Sequence, residues 1–294
     1  MFPEKLSMHL NKLICDEIDL NRVGVAIEIG VGTANFYSLL YKELGFNTIA
    51  VDPIPYQPFL VSANEKGVIF DESCIYLTNG EQVIYTSGHA DLSSLHNNWW
   101  GIDKNESKII KSQDLETFIK KHKVENISFL KVDTEGSEYE ILQQFSKLNI
   151  DLLPKVIEFE YGGGGLKKDE QGGWSSTFFN KSLLTLDLLE KLGYKDAIIF
   201  DSIDLEPIFF SFEDYEDFNN LFKPEFEYGN LIAFIAPLKN KKIIKAQILD
   251  FQNTLIREYI DNLKQENSQL YSELIRKDYL KRISNKIRRI LKIK

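Results

Sequence analysis

The chain is poor in cysteine, methionine and histidine, with 2, 2 and 4 among its 294 residues. Cys15 and Cys74 are too few and too scattered for a disulfide framework or a cysteine-based zinc site, so a reducing compartment is expected, in the simplest case the cytoplasm. Long apolar runs are missing as well. The opening "MFPEKLSMHLNKLICDEIDL" lacks the core of a signal peptide, and no stretch reaches the roughly 18 to 20 apolar residues of a membrane-spanning helix. A chain that is soluble, or at most peripheral on the inner face of a membrane, is the expectation. Positive charge is in short supply: 35 Lys plus Arg face 44 Asp plus Glu, for a net charge of -9, and nucleic acid is therefore not an expected partner. No repeat at a period of roughly 20 to 50 residues is visible.

What is present is a 43% hydrophobic chain long enough for one large core with an extension. Val- and Ile-rich runs of strand length, "VGVAIEIG", "NTIAVD", "GVIF", "ISFLKVD", "KVIEFEY", "AIIF" and "LIAFIA", alternate with stretches of helical spacing such as "ANFYSLLYKELG" and "SQDLETFIKKH". That alternation predicts an α/β fold, doubly wound around a mostly parallel sheet covered on both faces. Residues 72–87, with "NG" between two β-rich runs, predict a hairpin. The texture changes after "LIAFIAPLKN", which divides the chain into a domain over 1–238 and an extension over 239–294. Residues 241–294 contain no Gly or Pro and carry apolar groups from Ile244 through Leu255 to Leu274 at helical spacing. A long C-terminal amphipathic helix is predicted, with residues 244–274 suited to a coiled-coil or homo-oligomeric contact.

Two stretches suggest a ligand. "AIEIGVGTANFYSLL" is a strand ending in Glu28, then Gly30, Gly32 and Thr33, then a helix, a turn in which glycines let a ligand approach a helix N-terminus. Asn35 stands where the dinucleotide pattern GxGxxG has its third glycine, which counts against NAD or FAD. An acidic residue two positions before the first glycine suits a ligand with an ammonium group, such as the methionyl end of S-adenosylmethionine. About twenty residues on, "NTIAVDPIP" ends in Asp52, placed to accept hydrogen bonds from ribose hydroxyls. A plain strand-to-helix turn and a helix cap are the structural alternatives for these two stretches.

"FLKVDTEGSEYEIL" ends a buried strand in negative charge: Lys131, Asp133, Glu135, Gly136 and Glu138. This stretch resembles the signature of the FkbM family of S-adenosylmethionine-dependent methyltransferases, and "AIEIGVGTA", "IIKSQDLETFI" and "KVIEFEY" resemble further family segments in the same order, so that the resemblance spans Val23 to Pro237. Asp52 replaces the Glu common in the family, and Ala34 replaces a third loop glycine frequent in methyltransferases. The resemblance implies a Rossmann-like sheet of seven strands and methyl transfer, commonly to a hydroxyl of a sugar or natural product. It makes Glu28, Gly30, Gly32, Thr33, Asp52 and Asp133 candidates for binding S-adenosylmethionine.

For chemistry, Asp133 is the first candidate to orient the acceptor or act as general base; Glu135 could do so or cap the following helix, while Glu138 and Glu140 read as a solvated helix face. His89, in "SGHADLSSL", is a further candidate base near neutral pH, or a plain exposed loop histidine. Glu158 and Glu160 share one side of "IEFEY" and either bind acceptor hydroxyls or form ion pairs in the core. Trp174, among six glycines in residues 161–179, reads as an aromatic platform on a lid, with core burial as the alternative. Mg²⁺ is compatible with so many carboxylates, but no spacing demands a metal. At the end, nine basic residues and one acidic one fill 276–294, a +8 segment on a chain otherwise at -17. Such an end suits an anionic membrane surface or an acidic partner enzyme. The resulting expectation is O-methylation of a glycan or small-molecule hydroxyl. Its rivals are a non-catalytic scaffold on the same fold and an NAD or nucleotide-sugar oxidoreductase.

Overall fold

The structure, a computed structural model, describes residues 2–87, 90–103, 106–204 and 206–266. The chain divides into two compact units, Met1–Lys239 and Asn240–Lys294. In the first unit, α1 (Phe2–Asp19) leads into β1 (Val25–Ile29), α2 (Tyr37–Glu43), β2 (Asn47–Val51), α3 (Gln57–Lys66) and β3 (Ile69–Asp71). Three short strands follow, β4 (Cys74–Ile75), β5 (Gly80–Tyr85) and β6 (Ser107–Gln113), then α4 (Leu115–His122), β7 (Ile127–Val132) and α5 (Glu138–Leu142). The unit closes with β8 (Val156–Gly162), α6 (Ser176–Lys191), β9 (Asp196–Asp201), β10 (Ile208–Ser211) and β11 (Tyr228–Phe234).

The main sheet runs β10-β9-β11-β8-β7-β1-β2-β3. Its five strands from β8 to β3 are parallel, and β11, β9 and β10 add antiparallel pairs. Every residue of β7 is buried, as expected of a central strand covered on both faces. The sheet has eight strands, not seven. The extra one, β10, is the short run "IFFS"; it folds back on β9, and Phe210 joins the core while completing the edge.

The hairpin expected over residues 72–87 does not form. β4 and β5 flank β6 instead, parallel and antiparallel to it, in a separate three-stranded sheet. The Asn79 side chain, at the supposed turn, accepts from Asp114 N at 2.9 Å and donates to its carboxylate at 2.9 Å. Asp114 in turn caps α4 by accepting from Thr117 N at 2.7 Å. A pairing partner distant in sequence thus outweighs the local turn signal.

In the second unit the described residues form one helix, α7 (Lys241–Glu266). The far part of the expected apolar stripe and the basic end at 276–294 fall outside the described residues. No helix among the described residues is long and apolar enough to cross a membrane.

Candidate functional site

The order of the parallel strands reverses beside β1, and a cavity of about 310 Å³ opens there, at the carboxyl ends of β1, β2 and β7. Gly30 makes the first turn possible. Its φ is +82°, and a Cβ on it would lie 1.7 Å from the Asp133 carbonyl oxygen, so only glycine lets the ends of β1 and β7 come this close. Asn35 adopts φ +56°, the left-handed conformation that glycine would otherwise supply and that asparagine tolerates best among the larger residues.

Glu28 lines this cavity, yet it is 2% exposed and both its oxygens are engaged: they accept from Tyr37 N at 2.9 Å and Ser38 N at 2.8 Å, the first amides of α2. Burial pushes its pKa up to about 7. Asp52 accepts from Val31 N at 2.8 Å, Gly32 N at 3.2 Å and Ile54 N at 2.7 Å, which makes it the clasp of the glycine turn; burial raises its pKa. Thr33 gives its hydroxyl to Asp91 Oδ2 at 2.7 Å, and both line the cavity.

Asp133, Glu135 and Glu160 stand where β7 and β8 end, and each offers a carboxylate oxygen within 4.8 Å of the other two. All three also line a second, smaller cavity of about 30 Å³, so they form the wall between two spaces. Burial first, and then the neighbouring charges of Asp133 and its companions, push the carboxyls of Glu135 and Glu160 well above the ordinary range. Such groups hold a proton more tightly than an ordinary carboxylate, which suits proton exchange with a substrate.

The backbone of Glu135 is left-handed, at φ +55°, and Gly136 follows at +98°. This turn sends the Glu135 side chain away from α5 to accept from Trp99 Nε1 at 2.7 Å. The expected helix-cap role is not filled by Glu135, and Ser137 at the N-cap makes no side-chain cap bond; Glu138 instead clasps the turn before α5, its carboxylate accepting from Thr134 N at 2.8 Å and Gly136 N at 3.1 Å. Glu140 pairs with Lys181 at 2.6 Å. Neither Glu138 nor Glu140 is a merely solvated face.

The two glutamates of β8 part company. Glu160 faces both cavities, whereas Glu158, 0% exposed, accepts from Asn11 Nδ2 at 3.1 Å and pairs with Lys131 at 3.8 Å in the core. Trp174 is not a platform: it is 2% exposed, donates to the Glu227 carbonyl at 2.6 Å and packs among Tyr161, Phe179 and Phe222. Nor does its glycine-rich segment look like a lid. Backbone bonds tie it down, from Gly163 N to Glu227 O at 2.8 Å, Lys167 N to Phe226 O at 2.8 Å and Gly173 N to Gly163 O at 2.9 Å. His89 lies outside the described residues.

Sequence reasoning assigned no role to Glu4 or Asp91, which line the larger cavity, or to His96. Asp91 had a signal, as the one carboxylate in "SGHADLSSL". Glu4, brought in by α1, had none. His96 stands 3.2 Å from Ser137 Oγ and 3.1 Å from Lys181 Nζ, and burial lowers its pKa.

Fold and cavity together define a Rossmann-like α/β protein whose candidate site lies at the carboxyl ends of its parallel strands. The chain belongs to the FkbM methyltransferases: the family described as "Methyltransferase FkbM domain" matches residues 18–195, more than half its length. It is thus a methyltransferase. Similar solved structures include the methyltransferase domain of bacterial CtHen1-C, 12% identical, with 79% of this chain and 100% of that chain covered and a TM-score of 0.36. The plantazolicin methyltransferase BpumL in complex with SAH is 13% identical, with 80% and 85% covered and a TM-score of 0.36. No curated protein matches the chain.

Proposed function

We propose that this methyltransferase uses S-adenosylmethionine and methylates a hydroxyl of a sugar or related small molecule, in the assembly of a surface polysaccharide or another glycan. The observation that carries the reading is the single cavity in which the glycine turn, Asp52 and the Asp133–Glu135–Glu160 wall all meet. The residues fit the cofactor. A carboxylate has about four acceptor positions, and three of those on Asp52 are used by backbone amides. One remains for a ribose hydroxyl, and a second comes free if the longest of the three bonds, from Gly32 N at 3.2 Å, gives way. Glu28 keeps a second acceptor position on each oxygen for an ammonium group while it caps α2.

When bound, S-adenosylmethionine supplies an electrophilic sulfonium methyl group. The chain's own residues then have two tasks: to hold the acceptor in line, and to take the proton its oxygen loses. A carboxylate oxygen of Asp133, Glu135 or Glu160 receives that proton. Mg²⁺ is no part of this reading, because the Lys131 ammonium already supplies positive charge 3.5 Å from Asp133. The basic end, residues 276–294, would hold the enzyme against anionic lipid, where lipid-linked glycans are built. Residues 244–274 remain a candidate homo-oligomer contact.

Calorimetric titration with S-adenosylmethionine, and with NAD as control, tests the cofactor. Saturable binding of S-adenosylmethionine alone is expected, weakened about tenfold or more in Asp52→Ala, as befits loss of a charged hydrogen-bond acceptor. Binding of NAD instead would turn the reading to an oxidoreductase, and binding of neither to a scaffold. Formation of S-adenosylhomocysteine over a panel of glycosides, with amines as controls, then decides between oxygen and nitrogen as acceptor.

A further inference from the structure

The lining of the larger cavity is electrostatically one-sided. Among the described residues that form it there are seven carboxylates and a single cation, Lys131. A lysine on a central strand is costly to bury, yet Lys131 is 1% exposed. Its place in the sheet shows what holds it there. On β7 it lies between Glu28 of β1 and Glu158 of β8, each directly across in register. Its ammonium reaches Asn230 Oδ1 on β11 at 2.8 Å, Asp133 Oδ2 at 3.5 Å and Glu158 Oε1 at 3.8 Å, and it sits 5.3 Å above the Tyr37 ring of α2. Asn230 is itself opposite Glu160 in the β8–β11 register.

We propose that Lys131 is a positioning residue: a fixed internal counter-cation, held by Asn230 and Glu158, that favours the charged form of the carboxylates it faces, Glu28, Glu158 and Glu160, beside a site for a cationic cofactor. This inference rests on the S-adenosylmethionine reading and says how one face of that site is kept ready.

The electrostatics agree. Burial pulls the Lys131 ammonium pKa down, but Asp133, Glu158, Glu160 and Glu4 outweigh it and leave it above the ordinary lysine value. In return Lys131 draws down the carboxyls of Glu28, Glu158 and Glu160, each of which burial pushes up. Removing the ammonium therefore lets these three carboxyls take up protons more readily. Both ligands carry the ammonium that meets Glu28, but the sulfonium brings a further positive charge, so S-adenosylmethionine would have to expel more of these protons to bind than the thioether does.

The test is calorimetry of S-adenosylmethionine and S-adenosylhomocysteine binding at pH 6 and pH 8, in pairs of buffers with different ionisation enthalpies, which reports protons released. In Lys131→Met, proton release on binding S-adenosylmethionine should exceed the wild-type value by about half a proton or more, with affinity about tenfold weaker at pH 6 than at pH 8. Binding of S-adenosylhomocysteine, which brings the ammonium but not the sulfonium charge, should show both effects in smaller measure, and Lys131→Arg should restore wild-type behaviour. Equal proton release in wild type and Lys131→Met overturns the inference, as does an arginine variant no better than methionine. Should Lys131→Met fail to fold, Asn230→Leu, which frees the ammonium without removing it, must show the same linkage in weaker form; wild-type linkage there is equally fatal. A wild-type protein that binds neither ligand sinks the cofactor reading, and this inference with it.

Discussion

Glu28 is a carboxylate enclosed beneath the helix it caps, and its proton is part of folding. With a folded pKa of about 7 against an ordinary 4.5, the folded chain holds that proton more tightly than the unfolded chain does. The stability this confers is complete below about pH 4.5 and is lost as the pH rises through about 7, a loss on the order of 3 kcal/mol. Urea unfolding of wild type and Glu28→Gln across that window checks it: the variant, which cannot ionise, should gain on wild type steadily with rising pH. A constant difference would refute the assignment. At this scale residue types were legible in the sequence but not their directions. The run Lys131 to Glu140 announced a charged strand end, but the left-handed backbone of Glu135 decides that Trp99, not α5, receives its carboxylate. Local pattern carries no trace of that angle.

Strands and helices were easier to read than residues wherever burial is two-sided. The apolar runs in "ISFLKVD" and "AIIF" read as buried strands, and β7 and β9 are buried throughout. Elements whose partners are distant in sequence were misread: β4 and β5 look like a hairpin until β6 takes the place between them. The segment after β8 is the clearest case. Glycines suggested a mobile lid, whereas left-handed glycines at 162–165 and 172 fold it into a bonded cap with Trp174 pinned in the core. Trp174→Ala should therefore cost about 3 to 5 kcal/mol of stability in chemical denaturation and leave S-adenosylmethionine affinity unchanged at a temperature where the protein is folded. Intact stability with lost acceptor binding would instead restore the platform.

The whole molecule carries its charge unevenly, -17 over residues 1–275 and +8 over the last nineteen. Each basic residue near an anionic surface is worth about 1 kcal/mol, so the end alone could hold the protein on vesicles against repulsion from the rest. Co-sedimentation with phosphatidylserine vesicles should be lost on deleting 276–294, and weakened by raised salt. Undiminished sedimentation of the truncated protein would remove the membrane from the account. The main sheet has a consequence of its own for life at high concentration. An eight-stranded sheet offers two open edges to any other chain in search of a partner, and here those edges are its shortest members, three residues at Ile69–Asp71 and four at Ile208–Ser211. So few free amides and carbonyls give a passing strand almost nothing to bind. The strand that makes the sheet one wider than seven also makes it a poor template for aggregation.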